Sequence, residues 1–202
     1  MAYRRTASMQ ARLDLQRRAV VHAAAELLAE RGYAACTIIG VAERAGVASG
    51  TVYNHFQNKT GLITELFETV VGREVEVVRA HAAHGSAAER IRAVIETFAG
   101  RALKSPRQAY ALLAEPVEAP VEALRLRFRQ AFRDVLYEAV DLGVRTGELP
   151  AQNAAVVAAA LVGAVGEALT GPLAAPAEHP DTLPSLIAFT YRAIGVSPDA
   201  DA

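Results

Sequence analysis

An all-α fold is predicted, a small N-terminal helix-turn-helix module on a larger helical body, and three observations predict it. Ala is abundant, and the β-branched and aromatic alternation that marks strands is scarce. Apolar residues recur at three- and four-residue spacing along most of the 202-residue chain. Gly, Pro, Thr and Asn fall between those runs, where helices stop and start. Apolar residues make up 52% of the chain, enough to fill a core and to exclude extended disorder.

Nine helices follow in order. Residues 1–9 are polar and read as a disordered tail. The first helix spans 11–30, with Leu15, Val20, Ala24, Leu27 and Leu28 on one side, and Gly32 stops it. Thr37 is a good N-cap for a helix over 38–45, which Gly46 breaks, and a third helix covers 48–56. Asn58 caps a longer fourth helix with the stripe Leu62, Ile63, Leu66, Phe67, Val70 and Val71. A loop over 81–86 leads to the fifth helix, whose face is Ile91, Val94, Ile95, Phe98 and Ala102. Pro106 starts a short sixth helix that ends at Leu113, and 115–120 is a Pro-punctuated turn. The seventh helix spans 120–146, with Leu124, Phe128, Phe132, Val135 and Ala139 in a stripe, and Gly147 and Pro150 end it. The eighth covers 151–170, a Pro-rich loop covers 171–180, and the ninth covers 182–195. No internal repeat is present.

The formal net charge of −1 hides an asymmetry. Residues 1–60 hold eight Lys or Arg against four acids, and the remainder thirteen against eighteen, so a head of about +4 sits on a body of about −5. Such a division points to an anionic partner for the head only. The shift near residue 60 divides the chain into a small N-terminal module, 1–60, and a larger helical body, 61–202. Cys36 is the one cysteine, so no intrachain disulfide forms. Arg4 and Arg5 precede no apolar run, so the N-terminus is not a signal peptide. The most apolar stretch, 154–165, is too short to span a bilayer, so a soluble, cytoplasmic protein is expected.

Residues 37–62 carry the functional signal. Two short helical segments are broken by Ala45-Gly46-Val47, the pattern of a helix-turn-helix, and no acid lies between Arg44 and Glu65. Ala48, Ser49, Gly50 and Thr51 give the second segment a small, polar leading end, which entry into a major groove needs. Gly50 inside a helix costs ~1 kcal/mol relative to Ala, reasonable where a side chain would block the approach. Thr51, Tyr53, His55 and Lys59 read as phosphate donors, and Thr37 places a hydroxyl and free N–H groups at a helix N-terminus. Ser49, Asn54 and Ala48 read as base contacts. Val41, Ala45, Val47, Val52 and Phe56 have the spacing to fill the core beneath. The competing reading of the stretch is a plain helical subdomain with a polar loop.

The whole string is more specific than that. Gly32-Tyr33, Thr37-Ile38, Val41-Ala42, Ala45-Gly46-Val47, Gly50-Thr51-Val52-Tyr53-Asn54-His55-Phe56, Lys59 and Leu62 resemble the TetR family of transcriptional regulators over about residues 15–67. The resemblance implies about nine helices, the first three binding double-stranded DNA and the last two forming a four-helix homodimer interface. It also implies a pocket for a small-molecule effector between the intervening helices, with effector binding swinging the fourth helix and releasing a palindromic operator. Repression is the commoner mode among relatives. One departure is visible: many members carry Ser where this chain has Ala48, and losing a cap costs ~1 kcal/mol unless Ser49 takes the role.

Other sites stay open between a functional and a bland reading. Arg4, Arg5 and Arg12 suit either a minor-groove arm or a solubilising tail. Cys36 reads as packing before it reads as a redox sensor. His81 and His84 lack further ligands, so no metal and no cofactor is expected. Phe98, Leu103, Tyr110, Leu113, Phe128, Phe132 and Tyr137 suit either core or a ligand cavity, and Glu167 presents a carboxylate to solvent, a pocket or a partner. A mostly apolar pocket favours a hydrophobic effector. Ala155, Ala159 and Gly163 recur four apart on the eighth helix, which allows close helix approach, and with Leu186, Phe189 and Thr190 they form the expected dimer face. A nucleophile elbow, a phosphate-binding loop and zinc spacing are all missing, so an enzyme is not expected. An architectural DNA-binding protein with a fully packed body is the remaining rival.

Overall fold

The computed structural model describes residues 7–175 and 179–196. They form nine α-helices and one 3-10 turn: α1 (Ala7–Arg31), the turn Tyr33–Ala35, α2 (Ile38–Ala45), α3 (Ser49–Phe56), α4 (Lys59–His81), α5 (Ala87–Lys104), α6 (Pro106–Leu113), α7 (Ala119–Thr146), α8 (Ala154–Ala174) and α9 (Thr182–Ile194). The starts are set by side-chain caps. Thr37 Oγ1 accepts from Gly40 N at 3.0 Å, Asn58 Oδ1 from Gly61 N at 2.8 Å and Asn153 Oδ1 from Val156 N at 3.1 Å. Ser86 and Glu89 close a reciprocal capping box at the head of α5. Each such cap contributes about 1 kcal/mol over Ala. Gly32 ends α1 at φ 81, a left-handed backbone conformation that favours glycine.

Two cores form. The first is built by α1–α3 and the start of α4, with Val20, Leu28, Val41, Val52, Leu62, Ile63, Leu66 and Phe67 fully buried. Ala111 of α6 and Val121 and Leu124 of α7 complete it. The second joins Val75 and Val78 of α4 to α5 and α7–α9. The two cores therefore meet along α4, beyond residue 60, and helix α4 belongs to both.

Three expectations need correction. Helix α1 begins at Ala7, while residues 1–6, with Arg4 and Arg5, lie outside the described residues. Leu15 is 63% exposed, because burial along α1 starts only at Val20 and the earlier turns have little to pack against. Helix α8 runs over 154–174, where 151–170 was expected. Asn153 sets its start, and the helix carries through Pro172 because Leu169, Pro172 and Leu173 are buried in the body. At 21 residues α8 is long and apolar enough to cross a membrane by length and composition, and only 22% of its most apolar stretch is buried in the protomer.

Candidate functional site

The α2–turn–α3 unit presents a polar outer face on an apolar inner one. Val41, Val52 and Phe56 are buried and Ala45 and Val47 pack against them, as the spacing predicts. Gly46 turns the chain at φ 65, and Val47 N donates to Ala42 O at 3.0 Å. Helix α3 starts at Ser49 with Ala48 in the cap position and no side-chain cap, so Ser49 does not take over that role. Thr51 N donates back to Ala48 O at 2.9 Å, and the Ser49 and Gly50 N–H groups ahead of it face an uncapped helix start. A Cβ on Gly50 would enter open space, so nothing inside the protein explains the glycine. Tyr53, Asn54 and the Thr37 side of α2 are exposed, while Ser49 and Thr51 are half-buried. Ile39, exposed on α2, was not singled out from the sequence.

The bases of the head are less available than the sequence suggests. Arg17 ties α1 to α4 through Glu65, donates to His55 O at 2.7 Å, and lies over the Phe56 ring at 4.6 Å. Its bonding to Glu65 raises the guanidinium's affinity for its proton. Arg44 pairs with Glu30 and with Glu26. The His55 ring contacts Gln16 Oε1 at 3.2 Å. Lys59 Nζ donates to Glu118 Oε1 at 3.0 Å and sits 4.6 Å over the Tyr33 ring. Sequence reasoning offered His55 and Lys59 as phosphate donors; the structure engages both internally, because α1 and the α6–α7 turn place acceptors beside them. Arg12 and Arg18, exposed on α1, are not among the ion-paired bases of the described residues.

The α6–α7 turn fastens the head to the body. Glu115 accepts from Tyr33 N at 2.9 Å and from Ala34 N at 3.1 Å. Glu118 accepts from both the Tyr33 hydroxyl and Lys59. Those two donors hold the Glu118 carboxyl down at about 2, while burial and Glu118 push the Tyr33 hydroxyl well above its ordinary value. Cys36 is buried behind this turn, and burial pushes its thiol up to about 11, far from the thiolate a redox sensor needs.

A cavity of about 770 Å³ opens between α4, α5, α6, α7 and α8. Of the residues predicted to line it, Phe98, Leu113, Phe128, Phe132 and Glu167 do, and the Phe98 and Phe132 rings pack at 4.8 Å between centroids. Tyr110, Leu103 and Tyr137 do not border it; Tyr110 packs against the body core and Tyr137 faces outward. Sequence reasoning missed Arg125, which is buried on α7 and borders the cavity. The signal was present: Arg125 precedes Phe128 by three and so shares its inward stripe. Among the described residues no cluster of three or more His, Cys, Asp or Glu is placed to hold a metal.

The expected dimer face divides. Ala155, Ala159 and Gly163 are exposed on α8 and Phe189 is exposed on α9. Leu186 and Thr190 are only 5% and 2% exposed and point into the protomer, where Thr190 Oγ1 donates to Leu186 O at 2.7 Å. Those two are packing residues. Val156, exposed beside Ala155, joins the outward face in their place.

Comparison with known proteins places the chain. Residues 20–66 match the family described as bacterial regulatory proteins, tetR family. A fatty acid metabolism regulator protein of Bacillus subtilis (strain 168) is 39% identical over 57 residues, which span 28% of this chain and only 29% of that one. The HTH-type transcriptional activator FasR of Mycolicibacterium smegmatis is 31% identical over 153 residues, 74% of this chain and 68% of the relative. The crystal structure of the transcriptional regulator FadR from Bacillus subtilis, in complex with stearoyl-CoA, superposes with a TM-score of 0.75 at 19% identity, covering 88% of this chain and 97% of that one. All three are named as regulators and none as an enzyme.

Proposed function

The chain belongs to the TetR family of bacterial regulatory proteins, and from that premise we propose that it is a homodimeric, ligand-responsive repressor of the cytoplasm. Two copies read a palindromic operator through Thr37, Ala48, Ser49, Gly50, Thr51, Tyr53 and Asn54, and a small hydrophobic molecule in the cavity releases them. We take 1–60 as the reading unit and 61–202 as the effector and dimer body, with α4 passing between them. One observation carries this reading. Phe67 of α4 is fully buried in the head core and also borders the cavity, so a ligand that shifts α4 must disturb the head. The unexplained Gly50 supports close approach of α3 to DNA.

The exposed strip Ala155, Val156, Ala159 and Gly163, with Phe189, supports pairing of α8 and α9 with a second copy. The mostly apolar walls and the acyl-related relatives make long-chain acyl compounds the first effectors to test. Activation is the second reading, favoured by the name of the relative FasR. The experiment is selection of genomic DNA by the purified protein at near-physiological salt. A recovered palindrome, lost when acyl-CoA is added, supports the repressor. A palindrome retained or gained with the ligand favours activation, and recovery of random DNA refutes both.

A further inference from the structure

One donor in the cavity wall goes unused. Arg125 is 8% exposed. Its Nη1 donates to Glu122 Oε2 at 3.2 Å, and its Nη2 to the carbonyls of Ala111 at 2.8 Å and Glu115 at 2.6 Å. Its Nε is buried with no partner, and it is the one such side-chain atom among the described residues. Native chains pair nearly every buried donor, so an orphan on a guanidinium beside a cavity asks for an acceptor from outside the chain. The surrounding charge agrees in sign. Arg101, Lys104, Arg125 and Arg129 border the cavity against Glu74 and Glu167, and Arg101 already spends its charge on Glu74 at 2.6 Å. The remaining wall is largely apolar, with Phe98, Phe128 and Phe132 at its centre.

We propose that the cavity takes an amphipathic anion, an apolar body with a carboxylate head, and that Arg125 is the residue that receives the head. This rests on the reading of the cavity as the effector chamber. Charge-assisted bonds to a carboxylate are the strong ones, and a guanidinium presents Nε and an Nη as a fork that fits it.

The same side chain links the cavity to the head. Nε exposes less than 1 Å². An acceptor in the cavity reaches it only when the guanidinium turns, and turning draws Nη2 away from the carbonyls of Ala111 and Glu115. Glu115 is the residue whose carboxylate caps Tyr33 N and Ala34 N. Recognition of the head group and loosening of the α6–α7 turn are then one event, with no separate relay between them.

The test compares dodecanoate with dodecanol, equal in chain and different in head, by calorimetry on the full chain below the micellar range. The expected result is dodecanoate binding about 30-fold more tightly, the size of a charged hydrogen bond. Arg125→Lys, which keeps the charge and removes the fork, should cut that preference to about threefold. Hydrogen exchange at the Tyr33 and Ala34 amides should rise about tenfold with dodecanoate and not with dodecanol. Equal affinity for the two ligands overturns the head assignment and leaves the chamber standing. Binding of neither overturns the chamber and the head assignment together. Tight dodecanoate binding without faster exchange at Tyr33 and Ala34 overturns the link to the head. If Arg125→Lys fails to fold, the two wild-type comparisons still decide.

Discussion

The two cores treat empty space in opposite ways. The head closes around fully buried Val20, Leu28, Val52 and Leu62, whereas the body leaves about 770 Å³ open beside Phe98, Phe128 and Phe132. A packed core holds one arrangement, since its parts transmit strain and do not absorb it. A cavity forfeits dispersion contacts along its walls and leaves room for a second arrangement. The difference teaches where each job can sit: a reading surface needs the first kind of core, and a sensor needs the second. Helix α4 contributes to both, and the α6–α7 turn fastens one to the other through Glu115 and Glu118.

The sharpest way to break the comparison is to open a hole in the closed core. Leu28→Ala should cost about 2–5 kcal/mol, because a fully buried side chain away from the cavity leaves a hole that the packed head cannot collapse. Phe128→Ala should cost about half as much, since Phe128 is half-buried and already faces open space. Urea unfolding of the two variants checks this, and equal losses would refute the claim that the cores differ in packing.

The fastening is next. Glu115→Ala leaves the N–H groups of Tyr33 and Ala34 without their acceptor and should cost about 1–3 kcal/mol. The loss should appear as faster hydrogen exchange over residues 32–36, while the amides of α8 stay protected. Uniform loosening of the whole chain would mean that the turn is not a local joint.

The third test separates reading residues from joint residues within one short stretch. Asn54, exposed on α3, should on replacement by Ala change base preference by about 1–3 kcal/mol at one operator position. Tyr53→Phe should weaken all sequences alike. Lys59→Ala should leave the salt dependence of DNA binding unchanged, because its charge is already spent on Glu118. A fall of about one in the salt slope would instead return Lys59 to the phosphate contacts.

How much of this was legible in the chain follows from the range of the interactions. Caps act across three or four residues, so Thr37, Gly46 and Asn58 announced α2, α3 and the start of α4 to within a residue. Apolar spacing placed Val52, Phe56, Phe98 and Phe132 on inward faces for the same reason. What stayed hidden is long-range. Glu115 lies 82 residues from Tyr33 and Glu118 lies 59 from Lys59, so the pairing that engages Lys59 with the α6–α7 turn has no local signature. Leu186 and Thr190 share a stripe with Phe189, and only the packing of α9 on the body decides which of them turns inward. Arg125 sat in plain view on the stripe of α7, but a charge on an apolar face was passed over.

The smallest effect tests the joint through its protons. Glu118 carries its carboxyl at about 2 because Tyr33 and Lys59 both donate to it, and an unfolded chain returns it to the ordinary range near 4.5. A carboxyl held down in the folded state adds stability that is complete above the ordinary value and is lost as pH falls through the folded one. The joint should therefore weaken between about pH 4.5 and pH 2 and hold above that window up to about pH 10, where an unfolded chain begins to ionise Tyr33. Because the Glu118 side chain is about half exposed, water screens the interaction and the contribution should stay under about 1 kcal/mol. Glu118→Gln, which keeps the shape and removes the titration, should flatten the acid limb of stability in that window alone. An acid limb unchanged by the substitution would assign it to other carboxylates.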